Sequence, residues 1–153
     1  MTYENLIVEA ENEGIQLKEK KLRHNFKGLY YDGRIIIDTE LVTDCEKRCI
    51  LSEELGHHYK TVGDITDQTK VENRKQELIA RRWGYEKLIG IVDLVNAHKH
   101  GCNNRYEVAG YLNVTEEFLE EALEYYKCKY ENGYMIDTYW INFNNGLHVL
   151  KKF

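Results

Sequence analysis

The sequence predicts a protein of the α+β class, on three observations. Segments near 43–59, 71–89 and 115–130 repeat apolar residues at the three- and four-residue spacing of helices. Short runs rich in Ile, Tyr, Val and Trp lie near both ends, bracketed by Asp32-Gly33 and Asn144-Asn145-Gly146, which is the mark of hairpins. The 153 residues include no proline, and no repeat or low-complexity tract is visible. One compact unit of ordinary domain size is therefore expected.

Residues 2–13 read as a helix with Leu6, Ile7 and Ala10 on one stripe and Gly14 as its stop. Residues 15–22 alternate as a strand does. Gly28 to Asp38 reads as a hairpin, because both positions of a type I′ turn need positive φ and Asp32-Gly33 supplies them. Ile35, Ile36 and Ile37 in a row suggest a strand inside the sheet rather than at its rim. Thr43 opens a long helix. Thr43 and Glu46 fit a capping box, and Ile50, Leu51, Glu54, Leu55 and His58 carry the helix to about Tyr59. Residues 61–69 read as a loop and Val71 to Ile89 as a second long helix, broken at Gly90. A short helix follows over Ile91 to His98. Arg105 to Leu112 and Thr115 to Tyr130 form a helix pair joined at Asn113. Two strands are expected at the end, Tyr134 to Phe143 and Leu147 to Lys151.

Composition excludes several classes of function. Hydrophobic residues make up 42% and charged residues 31%, as in ordinary globular proteins. A net charge of -5 argues against a non-specific grip on nucleic acid or anionic membrane. No apolar run reaches the roughly 20 residues of a membrane-spanning helix. Met1 to Asn5 lacks the basic and apolar regions of a signal peptide, so a cytoplasmic protein is expected. Cys45, Cys49, Cys102 and Cys128 form no C-x-x-C pair and read as plain buried or half-buried thiols.

The chemistry concentrates in Glu53-Glu54-Leu55-Gly56-His57-His58 and in Glu77, twenty residues after His57. Residues four apart on a helix share a face, so Glu53 and His57 present an oxygen and an imidazole to one point. Glu54 lies about 100° around the helix, within reach of a water held there. In the familiar H-E-x-x-H helix two histidines bind the metal and the glutamate is the general base. Here Glu53 stands in the place of the first histidine. Glu77 is the best candidate for a third ligand. Glu53, His57 and Glu77 would give two carboxylates and one imidazole, a set open to zinc and also to manganese or iron. Asp64 and Asp67 are more remote oxygen donors. Gly56 adds a signal: glycine inside a helix costs about 1 kcal/mol relative to alanine, so it has a packing reason. Close approach of a strand or of a substrate backbone is the reason expected.

Leu51 to Tyr59 resembles the zinc helix of the ImmA/IrrE family of metallopeptidases, which usually reads His-Glu-Leu-Gly-His. Glu77-Leu78-Ile79-Ala80-Arg81-Arg82-Trp83-Gly84 is similar to that family's second motif: a glutamate, two residues, alanine, two residues, an aromatic and a small residue. The resemblance runs from about Ile35 to Ile89, and more loosely to the C-terminus. It implies a single zincin-like domain over 1–153. Residues 1–100 would form the core, a small antiparallel or mixed sheet packed on the active-site helix. Residues 101–153 would add a helix pair and a β-hairpin. It further implies His57 and Glu77 as metal ligands and Glu54 as general base, with Glu53 in a ligand's place. His58 is the possible substitute ligand or oxyanion donor, beside Tyr59 and Tyr85.

The implied activity is that of a zinc-dependent endopeptidase acting as an anti-repressor. Its substrate would be a helix-turn-helix repressor of a phage or mobile element. The alternative is a metal-free relative that sequesters such a partner without cutting it. Arg105 to Thr115 resembles half of a helix-turn-helix. The following helix, however, carries Glu116, Glu117, Glu120, Glu121 and Glu124, and phosphates repel such a face. Direct nucleic-acid binding is therefore not expected. The helix pair is expected to pack Phe118, Leu119, Ala122 and Tyr126 inward, leaving an acidic face suited to a basic protein partner. His98 and His100 read as a solvated helix end. Arg81 and Arg82 read as salt-bridge partners of nearby glutamates.

Overall fold

A computed structural model describes residues 2–152, among which the chain folds as a mixed α/β protein with six helices and two three-stranded sheets. It divides into two compact units, Met1–Lys87 and Leu88–Phe153.

In the first unit α1 (Tyr3–Asn12) starts at a capping box made by Thr2 and Asn5 and buries Tyr3, Leu6 and Ala10 at helical spacing. The chain turns at Gly14 into β1 (Gln16–Glu19) and then forms the hairpin of β2 (Gly28–Tyr31) and β3 (Arg34–Ile37). Asp32 and Gly33 both take positive φ, 44° and 74°, so the expected turn geometry is met. The strand order is β1-β3-β2. β3 pairs in parallel with β1 and antiparallel with β2, so the sheet is mixed and its isoleucine strand is central. Ile35 and Ile37 are fully buried. The Glu19 carboxylate accepts from the Tyr3 hydroxyl at 2.9 Å and from Lys47 Nζ at 3.1 Å, which links α1, β1 and the next helix.

That helix, α2 (Asp44–Lys60), begins at the Thr43–Glu46 capping box. It packs on α1, β2 and β3, and Leu51 and Leu55 are wholly buried. Each such leucine contributes about 2 kcal/mol of hydrophobic stabilisation. A loop leads to α3 (Val71–Leu88).

In the second unit α4 (Ile91–Lys99) is capped at Gly90, whose N–H donates to Asp93 Oδ2 at 2.8 Å. α5 (Arg105–Leu112) ends at Asn113, which adopts the left-handed conformation (φ 55°). α6 (Glu116–Lys129) then buries Phe118, Leu119, Ala122, Leu123 and Tyr126, as the sequence pattern requires. The Tyr126 hydroxyl donates to the Ile89 carbonyl at 2.5 Å. His98 and His100 are solvent-exposed.

The end of the chain departs from the expected hairpin. The single strand expected over Tyr134 to Phe143 is two, β4 (Tyr134–Ile136) and β5 (Tyr139–Asn142), and β6 (His148–Lys151) completes an antiparallel meander. Asp137 breaks the strand by taking φ 51°, a conformation aspartate tolerates better than most side chains. Without a glycine beside it, the Asp-Thr pair gave no strong turn signal. All four cysteines are free; Cys49 is buried and Cys45 and Cys102 are half-buried, but Cys128 is exposed, contrary to expectation. No helix among the described residues is long and apolar enough to cross a membrane.

Candidate metal centre

The site is built where α2 and α3 cross. Ser52 and Gly56 on α2 meet Ala80 and Gly84 on α3, four small residues at four-residue spacing. A Cβ on Gly56 would overlap the Ala80 carbonyl oxygen and stand 3.0 Å from the Ala80 Cα; one on Gly84 would stand 2.9 Å from Ser52 Oγ. Gly56 thus admits a neighbouring helix rather than the strand or substrate that was expected. The close crossing brings Glu77, one turn before Ala80, over His57, one residue after Gly56.

One ligand atom each from Glu53, His57 and Glu77 lies within 4.8 Å of the other two. His57 is buried and the two glutamates are half-buried. His57 Nε2 stands 3.1 Å from Glu77 Oε2. The other face of the imidazole is set by Thr61. That hydroxyl donates its only hydrogen to the His57 carbonyl at 2.8 Å, so in its 3.4 Å contact with Nδ1 it is the acceptor. In a neutral ring the lone pair then belongs to Nε2, which faces the glutamates. Arg81, one turn after Glu77, bridges the two glutamates. Its Nε donates to Glu77 Oε1 at 3.2 Å and to Glu53 Oε1 at 3.4 Å.

The electrostatics follow from two carboxylates at close quarters. Burial, together with the hydrogen bond to Glu77, pushes Glu53 up to about 7, against the pull of Arg81 and His57. Burial alone would raise Glu77 too, but hydrogen bonds to His57 and Glu53, with the Arg81 charge, hold it down to about 2. The metal-free pair therefore keeps one proton across this range, whereas two free carboxylates near 4.5 would hold two below that value and none above it. Between about 2 and 4.5 the unfolded chain binds more protons, and stability rises with pH. Between 4.5 and about 7 the folded chain binds more, and stability falls as pH rises, by at most about 1.4 kcal/mol per pH unit for one proton. Denaturant titrations of metal-free protein should show that falling limb between pH 5 and 8. In Glu53→Gln it should become shallower, the remainder belonging to Glu54, whose carboxyl is also raised, and an unchanged slope would show that the shared proton is not there.

Glu54 lies beside this group, not in it. It is 6% exposed, and burial first, then the charges of Glu53 and Glu77, raise its carboxyl well above the usual range. A Cβ on Gly28 would stand 2.7 Å from Glu54 Oε1, so β2 runs directly against this carboxyl, and a side chain there would push the Glu54 and Ile50 side chains aside.

Other candidates are held elsewhere. His58 Nδ1 lies 3.0 Å from the Tyr30 hydroxyl, which also accepts from Gly33 N–H, and the ring packs edge-on between Tyr30 and Tyr59. It serves the hairpin, and the structure does not bring it to the three ligand atoms. Tyr59 stacks on Trp83 with ring centroids 5.0 Å apart, and Tyr85 is buried. Asp64 Oδ1 and Asp67 Oδ1 each accept the N–H and hydroxyl of a threonine two residues on, closing local turns. Sequence reasoning missed Thr61 and Gly28. Thr61 sits one turn beyond His57, a usable signal; nothing local links Gly28 to Glu54, twenty-six residues away.

The donor set suits a divalent ion. A tetrahedral zinc with bonds of about 2.0–2.2 Å separates its ligand atoms by about 3.3–3.6 Å; the three ligand atoms here lie within 4.8 Å of one another, and His57 Nε2 and Glu77 Oε2 stand 3.1 Å apart. Two lone-pair atoms at that spacing need a proton or a cation between them. Arg81 holds one oxygen of Glu77 and leaves the other toward His57, as an outer partner of a metal-binding carboxylate does. Comparison with protein-family models, curated proteins and solved structures gave no match.

Proposed function

We propose that this chain is a metal-dependent endopeptidase with a zincin-like arrangement, resembling the ImmA/IrrE family. The observation that carries the reading is the convergence of Glu53, His57 and Glu77 with the buried Glu54 carboxyl alongside. Zinc is the ion that the resemblance implies; manganese or iron also fits the oxygen-rich set. When bound, the ion supplies Lewis acidity and acidifies a water. His57 would hold it with an imidazole already oriented by Thr61. Glu54, whose burial raises its proton affinity, would take a proton from water in its ionised form, which a nearby cation favours, and return it to a leaving amine. The substrate we propose is a helix-turn-helix repressor in the cytoplasm, not nucleic acid. The exposed Glu116, Glu117, Glu120, Glu121 and Glu124 of α6 favour a basic protein over a phosphate backbone.

Elemental analysis of protein purified without chelator or His-tag tests the reading. About one zinc, manganese or iron per chain is expected, lost in Glu53→Ala. No metal after incubation with each ion would overturn it.

One observation favours a second reading, a metal-free protein that sequesters its partner. Arg81 already bridges Glu53 and Glu77, and a proton between His57 and Glu77 would satisfy the group without an ion.

A further inference from the structure

Arg81 stands where an ion's charge would act. One N–H of its guanidinium lies 3.4 Å from Glu53 Oε1 and 3.2 Å from Glu77 Oε1, and the side chain is 45% exposed on its outer side. The two carboxylates that would hold a divalent cation are already bridged by a monovalent one, tethered one helical turn from Glu77. Nothing in the covalent structure lets this cation diffuse away. Exposure leaves it room to swing outward.

We propose that Arg81 is a tethered cation that competes with metal for Glu53 and Glu77, and so sets how weakly the site holds its ion. This rests on the metal-binding reading above. A guanidinium and a divalent ion on the same carboxylates repel each other at a separation of a few ångströms, where interaction energies are several times those between exposed charges in water. Metal at Glu77 Oε2 would face Arg81 across the same carboxylate, so its entry weakens both Arg81 contacts and drives the side chain outward. The free chain has the full Arg81 bridge, and the loaded chain holds it more weakly. By linkage, whatever stabilises the free state lowers the apparent affinity for the ion.

The sign of one substitution separates this from a purely orienting role. If Arg81 only steadied Glu77 for the ion, its removal would weaken binding, as loss of an outer-shell partner usually does. If it competes, removal tightens binding. The test is titration of Zn²⁺ at pH 8 against a chromophoric chelator, for wild type, Arg81→Met and Arg81→Lys, with circular dichroism confirming the fold of each. Arg81→Met is expected to bind zinc at least tenfold more tightly than wild type, and Arg81→Lys, which keeps the charge, to stay within about threefold of it. The rise in melting temperature on adding zinc should likewise be larger in Arg81→Met, because its metal-free state has lost the bridge. Equal or weaker zinc binding in Arg81→Met, with wild type binding, overturns the competition and leaves the metal site standing. Zinc binding by Arg81→Met but not by wild type supports the competition while overturning metal-dependent function in the native chain. No binding by any of the three overturns both this inference and the metal reading.

Discussion

Gly56→Ala is expected to destabilise the chain by about 2 kcal/mol, and Gly56→Val by more, although alanine is the better helix former. The added Cβ meets the Ala80 carbonyl oxygen, a backbone atom inside α3 that no rotamer change can move aside. α3 must retreat from α2 or shift along it. Either movement takes Glu77 away from His57, so the same variant should also lose zinc binding. Gly110 is the control. It too is helical, but a Cβ there meets nothing within 4 Å, and Gly110→Ala should stabilise by about 0.5–1 kcal/mol. Urea denaturation at constant m-value reads both. If the two variants proved equally stable, the close crossing at Ala80 would be disproved.

Glu54→Gln is expected to cut peptide cleavage by about 10²–10⁴-fold while leaving metal content unchanged, the range associated with loss of a general base. The substitution keeps shape and volume, so packing against Gly28 survives. It also removes a buried carboxyl that Glu53 and Glu77 already disfavour in its charged form, so folding should not suffer. Digestion of a mixed peptide pool, read by mass spectrometry, compares wild type and variant loaded with the same ion. Cleavage by Glu54→Gln at the wild-type rate would remove Glu54 from the chemistry. Loss of cleavage together with loss of metal would instead make it part of the metal-holding set.

The parts of the fold legible from sequence were those with local causes. The Thr43–Glu46 box, the Asp32-Gly33 turn and the row of isoleucines each state their geometry within a few residues. The meeting of Glu53, His57 and Glu77 was legible because one pair is fixed by helical spacing and the third recurs in a second patterned helix. Arg81 could be read as a partner of nearby glutamates, but not as the bridge across both candidate ligands, because Glu53 lies on another helix. His58 illustrates a different limit. Its neighbour His57 faces the crossing while His58, 100° around the helix, faces Tyr30, and only the placement of β2 decides what it touches. The three-stranded ending was missed because a left-handed aspartate leaves no mark as strong as glycine's.

The last turn of α2 is closed twice, since the His57 carbonyl accepts both the Thr61 N–H at 3.1 Å and the Thr61 hydroxyl at 2.8 Å. Helix ends ordinarily fray, and a side chain in the final turn ordinarily wanders with them. Here unwinding that turn must break two bonds to one oxygen, so His57 is confined before anything arrives to meet it. Ordering an imidazole costs a share of binding free energy wherever it happens on encounter. In this chain most of that ordering accompanies folding, and the entropy of capture falls mainly on the two glutamates and the arginine that bridges them.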